Sequence, residues 1–172
     1  MRRESLFKLI SNKNFTEPDV SRFFPNFTQQ SWIDFHLRPR LNPTVPEEII
    51  LLYETVRGSM IYGWFFYPLL TLASEQCYRI LEVAAHKKCE QLNIPTERIL
   101  KSGKHRTRDF SELIQELKTY GAINIGDSHK WDAGRSLRNT TSHPQQRMIL
   151  VPGQTLSILT ITVNLINNLF EK

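Results

Sequence analysis

The chain has 172 residues, 40% hydrophobic and 23% charged, which suits one folded domain and excludes both two ordinary-sized domains and a disordered polyelectrolyte. Its 22 basic residues outnumber 17 acidic ones, for a net charge of +5 and a pI near 9.4. That leans toward polyanionic partners but falls short of a dedicated nucleic-acid-binding composition, and a basic surface kept for solubility explains it equally well.

Residues 1–46 differ from the rest. Pro18, Pro25, Pro39, Pro43 and Pro46 break any long periodicity, while Phe15, Phe23, Phe24, Phe27, Trp32, Phe35 and Leu37 are too apolar for a free tail. This reads as an arm of short turns or helices draped over the core or over a second copy of the protein, followed by one helical domain over 47–172.

Pro46-Glu47-Glu48 places a proline and two acids where a helix N-terminus favours them. Helices are predicted over about 47–65 and 68–92, with Leu69, Leu72, Ala73, Ile80, Val83 and Ala84 of the second facing inward. Glu75, Arg79, Glu82 and His86 form one polar stripe on that helix. The stripe is either a solvated face with Glu75–Arg79 and Glu82–His86 pairs, or Glu75 and Arg79 line a polar cleft beside Arg138. Cys77 and Cys89 sit on the same helix roughly 18 Å apart and cannot pair with each other.

A loop of about 94–108 carries the densest positive patch: Lys101, Lys104, His105, Arg106 and Arg108. It is either a plain solvated connector or a clamp on a nucleic-acid backbone. Asp109-Phe110-Ser111-Glu112 reads as a capping box opening a helix to about Tyr120, closed by Gly121. Asp127-Ser128 caps the next helix, with Trp131, Leu137 and Arg138 on it and Pro144 marking its end.

The last helix spans about Pro152 to Phe170 and is apolar on two sides: Leu156, Leu159, Val163, Ile166 and Phe170 form one row, Ile158, Ile161, Leu165 and Leu169 another. Such a helix is central to a bundle or packs on another subunit. No segment shows strand alternation, so the expected fold is all-α: an up-and-down bundle of four to five helices with an irregular N-terminal arm. The charge-free runs Gly58–Ser74 and Val151–Phe170 are interrupted by Pro68 and by Pro152, Gly153, Gln154 and three asparagines, so they read as core helices and not membrane spans. No apolar signal core follows Met1-Arg2-Arg3-Glu4, and a reduced, cytoplasmic protein is expected.

The stretch Arg138-Asn139-Thr140-Thr141-Ser142-His143 carries the chemistry. Guanidinium presents a fixed fork of donors to a phosphate, and imidazole titrates where a proton can move near neutral pH. Metal-free cleavage of an RNA phosphodiester needs little more: a group that moves the proton and a group that meets the charge at phosphorus. On one continuous helix Arg138 and His143 would point about 140° apart, so they converge on one phosphate only if the helix ends first or if each comes from a different subunit. A plainer account makes Arg138 a partner of the helix dipole, Asn139 a C-cap and His143 a surface histidine.

Long helices, a basic loop, a helix, a short helix ending in R-N-T-T-S-H and a closing apolar helix together resemble the HEPN superfamily, marked by Arg, a polar residue, a short spacer and His. The resemblance covers about 47–172 in architecture, and Arg138, Asn139 and His143 match the motif. It implies a helical bundle that dimerises to unite two motifs in a composite cleft and cuts RNA without metal. His143 would then be the acid or base, Arg138 the phosphate clamp and Asn139 an orienting group; Lys101, Lys104, Arg106, Arg108, Glu75 and Arg79 are the candidate substrate contacts. The rival is a silent HEPN-like module that binds a protein partner such as an antitoxin. No cofactor or metal is expected: His129 and His143 are too far apart for a helical ligand pair, and H-E-x-x-H, P-loop and G-x-G-x-x-G motifs are absent.

Overall fold

The computed structural model describes residues 8–19, 28–141 and 150–171. Among them are six α-helices: α1 (Gln29–Leu37), α2 (Glu47–Tyr62), α3 (Pro68–Gln91), α4 (Phe110–Tyr120), α5 (Ser128–Thr141) and α6 (Pro152–Phe170). The fold is an all-α helical bundle built around α3, which packs against α2, α4, α5 and α6. No helix among the described residues is long and apolar enough to cross a membrane.

Local chemistry accounts for several helix ends. Glu47 and Glu48 occupy the first turn of α2, and Pro68 opens α3 where no backbone donor is required. The corner between these two helices demands a glycine, since a Cβ at Gly63 would lie 2.5 Å from the Leu70 side chain and 2.8 Å from the Met60 carbonyl. Helix α3 closes in a Schellman arrangement: Asn93 takes the left-handed conformation (φ 55°), and the Ile94 amide donates back to the Cys89 carbonyl at 2.9 Å. Asp109 caps α4 by accepting from the Glu112 amide, Glu112 reciprocates, and Gly121 at φ 83° ends the helix. The Asp109 carboxyl is held below its ordinary pKa, chiefly by the Ser111 hydroxyl and then by the Glu112 amide.

The inward face of α3 lies elsewhere than periodicity predicted. Ala73, Ile80 and Ala84 are buried as expected, but Leu72 and Val83 are exposed and the core takes Leu70, Cys77, Leu81, Ala85 and Cys89 instead. With neighbours on several sides, α3 buries a wide arc of mostly small residues, and the choice of face belongs to those neighbours. Burial raises the Cys77 and Cys89 thiols to about 12 and about 11, and both are free. On α6, Leu159, Val163, Ile166 and Phe170 are buried together with Leu165 and Leu169, while Ile161 at the edge of the second row is exposed.

The segment expected to be an irregular loop over 94–108 contains a short antiparallel hairpin, β1 (Glu97–Ile99) paired with β2 (His105–Thr107). Three-residue strands carry too little alternation to be read from sequence. Gly103 at φ 76° shapes its tip.

Residues 28–46 of the arm lie on the chain's own core. Trp32 of α1 and Val45 belong to the buried cluster, and the Trp32 indole donates to the carbonyls of Met60 and Ile61 at the end of α2. Tyr53 donates to the Pro39 carbonyl, while Asn167 of α6 accepts from the Asn42 amide and donates to the Arg40 carbonyl. Farther upstream, buried Asp19 accepts from the Tyr67 amide just before α3. Phe23, Phe24 and Phe27 lie outside the described residues.

His36 packs against Trp32, with ring centroids 4.2 Å apart and the planes inclined by 50°, and its Nδ1 lies 2.8 Å from the Trp32 carbonyl. Burial lowers its pKa below the ordinary 6.5, outweighing that hydrogen bond. The unfolded chain therefore takes up a proton near pH 6.5, whereas the folded chain does so only at lower pH. Stability from a neutral His36 is complete above that point and declines as pH falls through it. His36→Gln, which keeps a donor for the Trp32 carbonyl, is expected to flatten the fall in urea-unfolding stability between pH 7.5 and 5.5. An unchanged pH slope would refute the assignment.

Candidate functional site

Arg138 lies in the last turn of α5, where a cation also suits the helix dipole. Its side chain reaches across to α3 and grips Glu82 along one edge: Nε donates to Oε2 at 3.0 Å and Nη2 to Oε1 at 3.2 Å. Nη1 contacts the Asn139 side-chain oxygen at 3.3 Å. The pair is neither deeply buried nor fully solvated, with side-chain exposures of 37% for Arg138 and 28% for Glu82. It borders an open cleft of about 670 Å³ lined by Glu48, Arg79, Glu82, Val83, His86, Lys87, Glu90, Thr107, Arg108 and Arg138.

Charge in this cleft is nearly balanced. Lys87 lies 2.9 Å from Glu48 and 3.4 Å from Glu90, and these carboxylates, Glu48 first, raise its pKa. His86 faces Glu90 at 3.8 Å, and Arg108 pairs with Glu116 of α4. Arg79 is exposed and has no acidic partner among the described residues. The expected i,i+4 pairs Glu75–Arg79 and Glu82–His86 do not form; Glu82 turns to α5 and His86 to Glu90 instead.

The hairpin arginines serve the fold. Arg98 and Arg106 are direct cross-strand partners, a like-charge pairing that disfavours the ladder unless it is compensated. Glu112 compensates it, with Oε1 2.8 Å from Arg98 and Oε2 2.5 Å from Arg106, while also accepting from the Asp109 amide at 2.9 Å. One carboxylate thus ties the hairpin to the first turn of α4. Lys101 and Lys104 stand exposed at the tip without an acidic partner among the described residues.

Of the sequence-derived candidates, Arg138, Arg79 and Arg108 line one cleft, with Asn139 against Arg138. Glu75 is not among the lining residues, Arg106 is engaged with α4, and Lys101 and Lys104 do not line the cleft. His143 and Pro144 lie outside the described residues. Lys87 and Glu48 were not anticipated: they sit on different helices, and nothing in their local spacing brings them together. Among the described residues no cluster of His, Cys, Asp or Glu could hold a metal ion. The chain matches no family model, no curated protein and no solved structure.

Because Glu112 serves both the helix cap and the two strands, Glu112→Ala is expected to cost about 1–2 kcal/mol and to raise amide exchange across 97–107. Replacing Lys101 and Lys104 together should leave stability within about 0.5 kcal/mol. Equal effects in urea unfolding and hydrogen exchange would remove Glu112 from this role.

Proposed function

We propose that the chain is a metal-independent endoribonuclease of HEPN type, working as a homodimer with a composite site. Its 2′-hydroxyl-driven reaction would break the phosphorus–5′-oxygen bond as the 2′-oxygen bonds to phosphorus. His143 moves the proton, Arg138 meets the developing negative charge and Asn139 orients the Arg138 fork. The observation that carries the reading is the placement of Arg138 and Asn139 beside a solvent-open cleft that also holds Arg79, Lys87, Arg108 and His86. Basic groups of this kind suit a phosphodiester strand that displaces their carboxylate partners, and the chemistry asks for no metal ion.

A second reading, a silent module that binds a protein partner such as an antitoxin, draws on different observations. Glu82 already neutralises Arg138, and the hairpin arginines are committed to α4. The outer faces of α2 and α3 also expose Leu51, Tyr62 and Leu72.

Purified protein is expected to cleave single-stranded RNA in EDTA. His143→Ala should slow this roughly 10²–10⁴-fold and Arg138→Ala roughly 10²–10³-fold, and the double variant should lose much less than the product. Light scattering should show a dimer at micromolar concentration. Absence of EDTA-resistant cleavage would transfer the case to the partner-binding module; cleavage by a monomer would overturn the composite site.

A further inference from the structure

We propose that the Glu82 carboxylate occupies the position of a substrate phosphate, so that the Arg138 subsite is closed by the protein's own anion until a polynucleotide displaces it. The proposal rests on the reading of Arg138 as a phosphate-binding group and adds to it how that site is held shut. The geometry is that of oxyanion recognition: one guanidinium edge meets both oxygens of one carboxylate, with Nε 3.0 Å from Oε2 and Nη2 2.9 Å from Oε2 and 3.2 Å from Oε1. A phosphodiester offers the same edge two oxygens of similar spacing, and therefore competes for the same donors.

This contact is a product of the tertiary structure. Glu82 and Arg138 stand 56 residues apart on α3 and α5, and Glu82 makes this bond in place of a pair with His86 one turn along its own helix. Both side chains keep about a third of their surface, so the pair is screened by solvent and separable without opening the core. Arg79 stands one turn before Glu82 on the same helix. It is the cleft cation without an acidic partner among the described residues, so the displaced carboxylate finds a cation within i,i+3 reach.

The test uses a fluorescein-labelled 2′-O-methyl oligouridine, which binds but cannot be cut, titrated by anisotropy at fixed salt into the full-length protein. Glu82→Gln is expected to bind roughly three- to tenfold more tightly than the parent, and Glu82→Ala to do likewise, since each removes the competing charge. Arg138→Ala should weaken binding, and adding it to Glu82→Gln should abolish the gain. If Arg138→Ala weakens binding but neither Glu82 variant tightens it, Glu82 merely positions Arg138 and the closed-subsite proposal falls alone. If no variant changes binding, the phosphate-binding role of Arg138 falls with it. Thermal unfolding of each variant shows that the comparison is made on folded protein.

Discussion

The architecture depends on how many neighbours α3 must accommodate. Helices α2, α4, α5 and α6 all pack on it, and they approach closely because its buried surface is rich in small groups: Ala73, Ser74, Cys77, Ala84, Ala85 and Cys89. The neighbours contribute their own small residues. Gly63 admits Leu70 at the α2–α3 corner, and Gly134 of α5 faces Leu81, whose methyl would lie 2.8 Å from a Cβ there. Such packing is dense and unforgiving of added volume. Even Lys88 is drawn in, its ammonium 5.5 Å from the Phe170 ring centre and its pKa lowered by burial.

The cleft follows from that crowding. Arg79, Glu82, Val83, His86, Lys87 and Glu90 lie on a strip of α3 that its neighbours leave uncovered, and the wall is completed by the start of α2, the end of α5 and strand β2. Charged residues persist on this strip because water can reach them; elsewhere on the helix, burial would carry a large desolvation penalty. The cations gathered there are largely matched by carboxylates. An anion held by Arg138 or Lys87 would have to displace Glu82, or Glu48 and Glu90, a competition that favours discrimination over raw affinity.

Electrostatic pairs do unequal work in this molecule. Exposed pairs such as His105–Glu97 contribute little on their own. The set centred on Glu112 matters more because it settles a conflict, two arginines opposed across a strand ladder, while completing a helix cap. The densest basic segment of the chain is thus partly structural, and Lys101 and Lys104 are its exposed lysines without an acidic partner among the described residues.

Signals of short range were legible in the sequence. The capping box at Asp109, the left-handed glycine at 121, Pro68 in the first turn of α3 and the span of α6 all follow from the conformational preferences of neighbouring residues, and the all-α class follows from their sum. The adjacency of Arg138 and Asn139 at the end of α5 was legible too, and the structure sets that pair at the edge of a cleft. Only the tertiary structure decided the rest. It chose Leu70 and Leu81 over Leu72 and Val83 for the core, turned Glu82 from His86 to Arg138, committed Arg106 to Glu112 and joined Lys87 to Glu48. Each of these depends on which face of one helix meets which face of another. That is set by packing among residues tens of positions apart, and local periodicity carries no information about it.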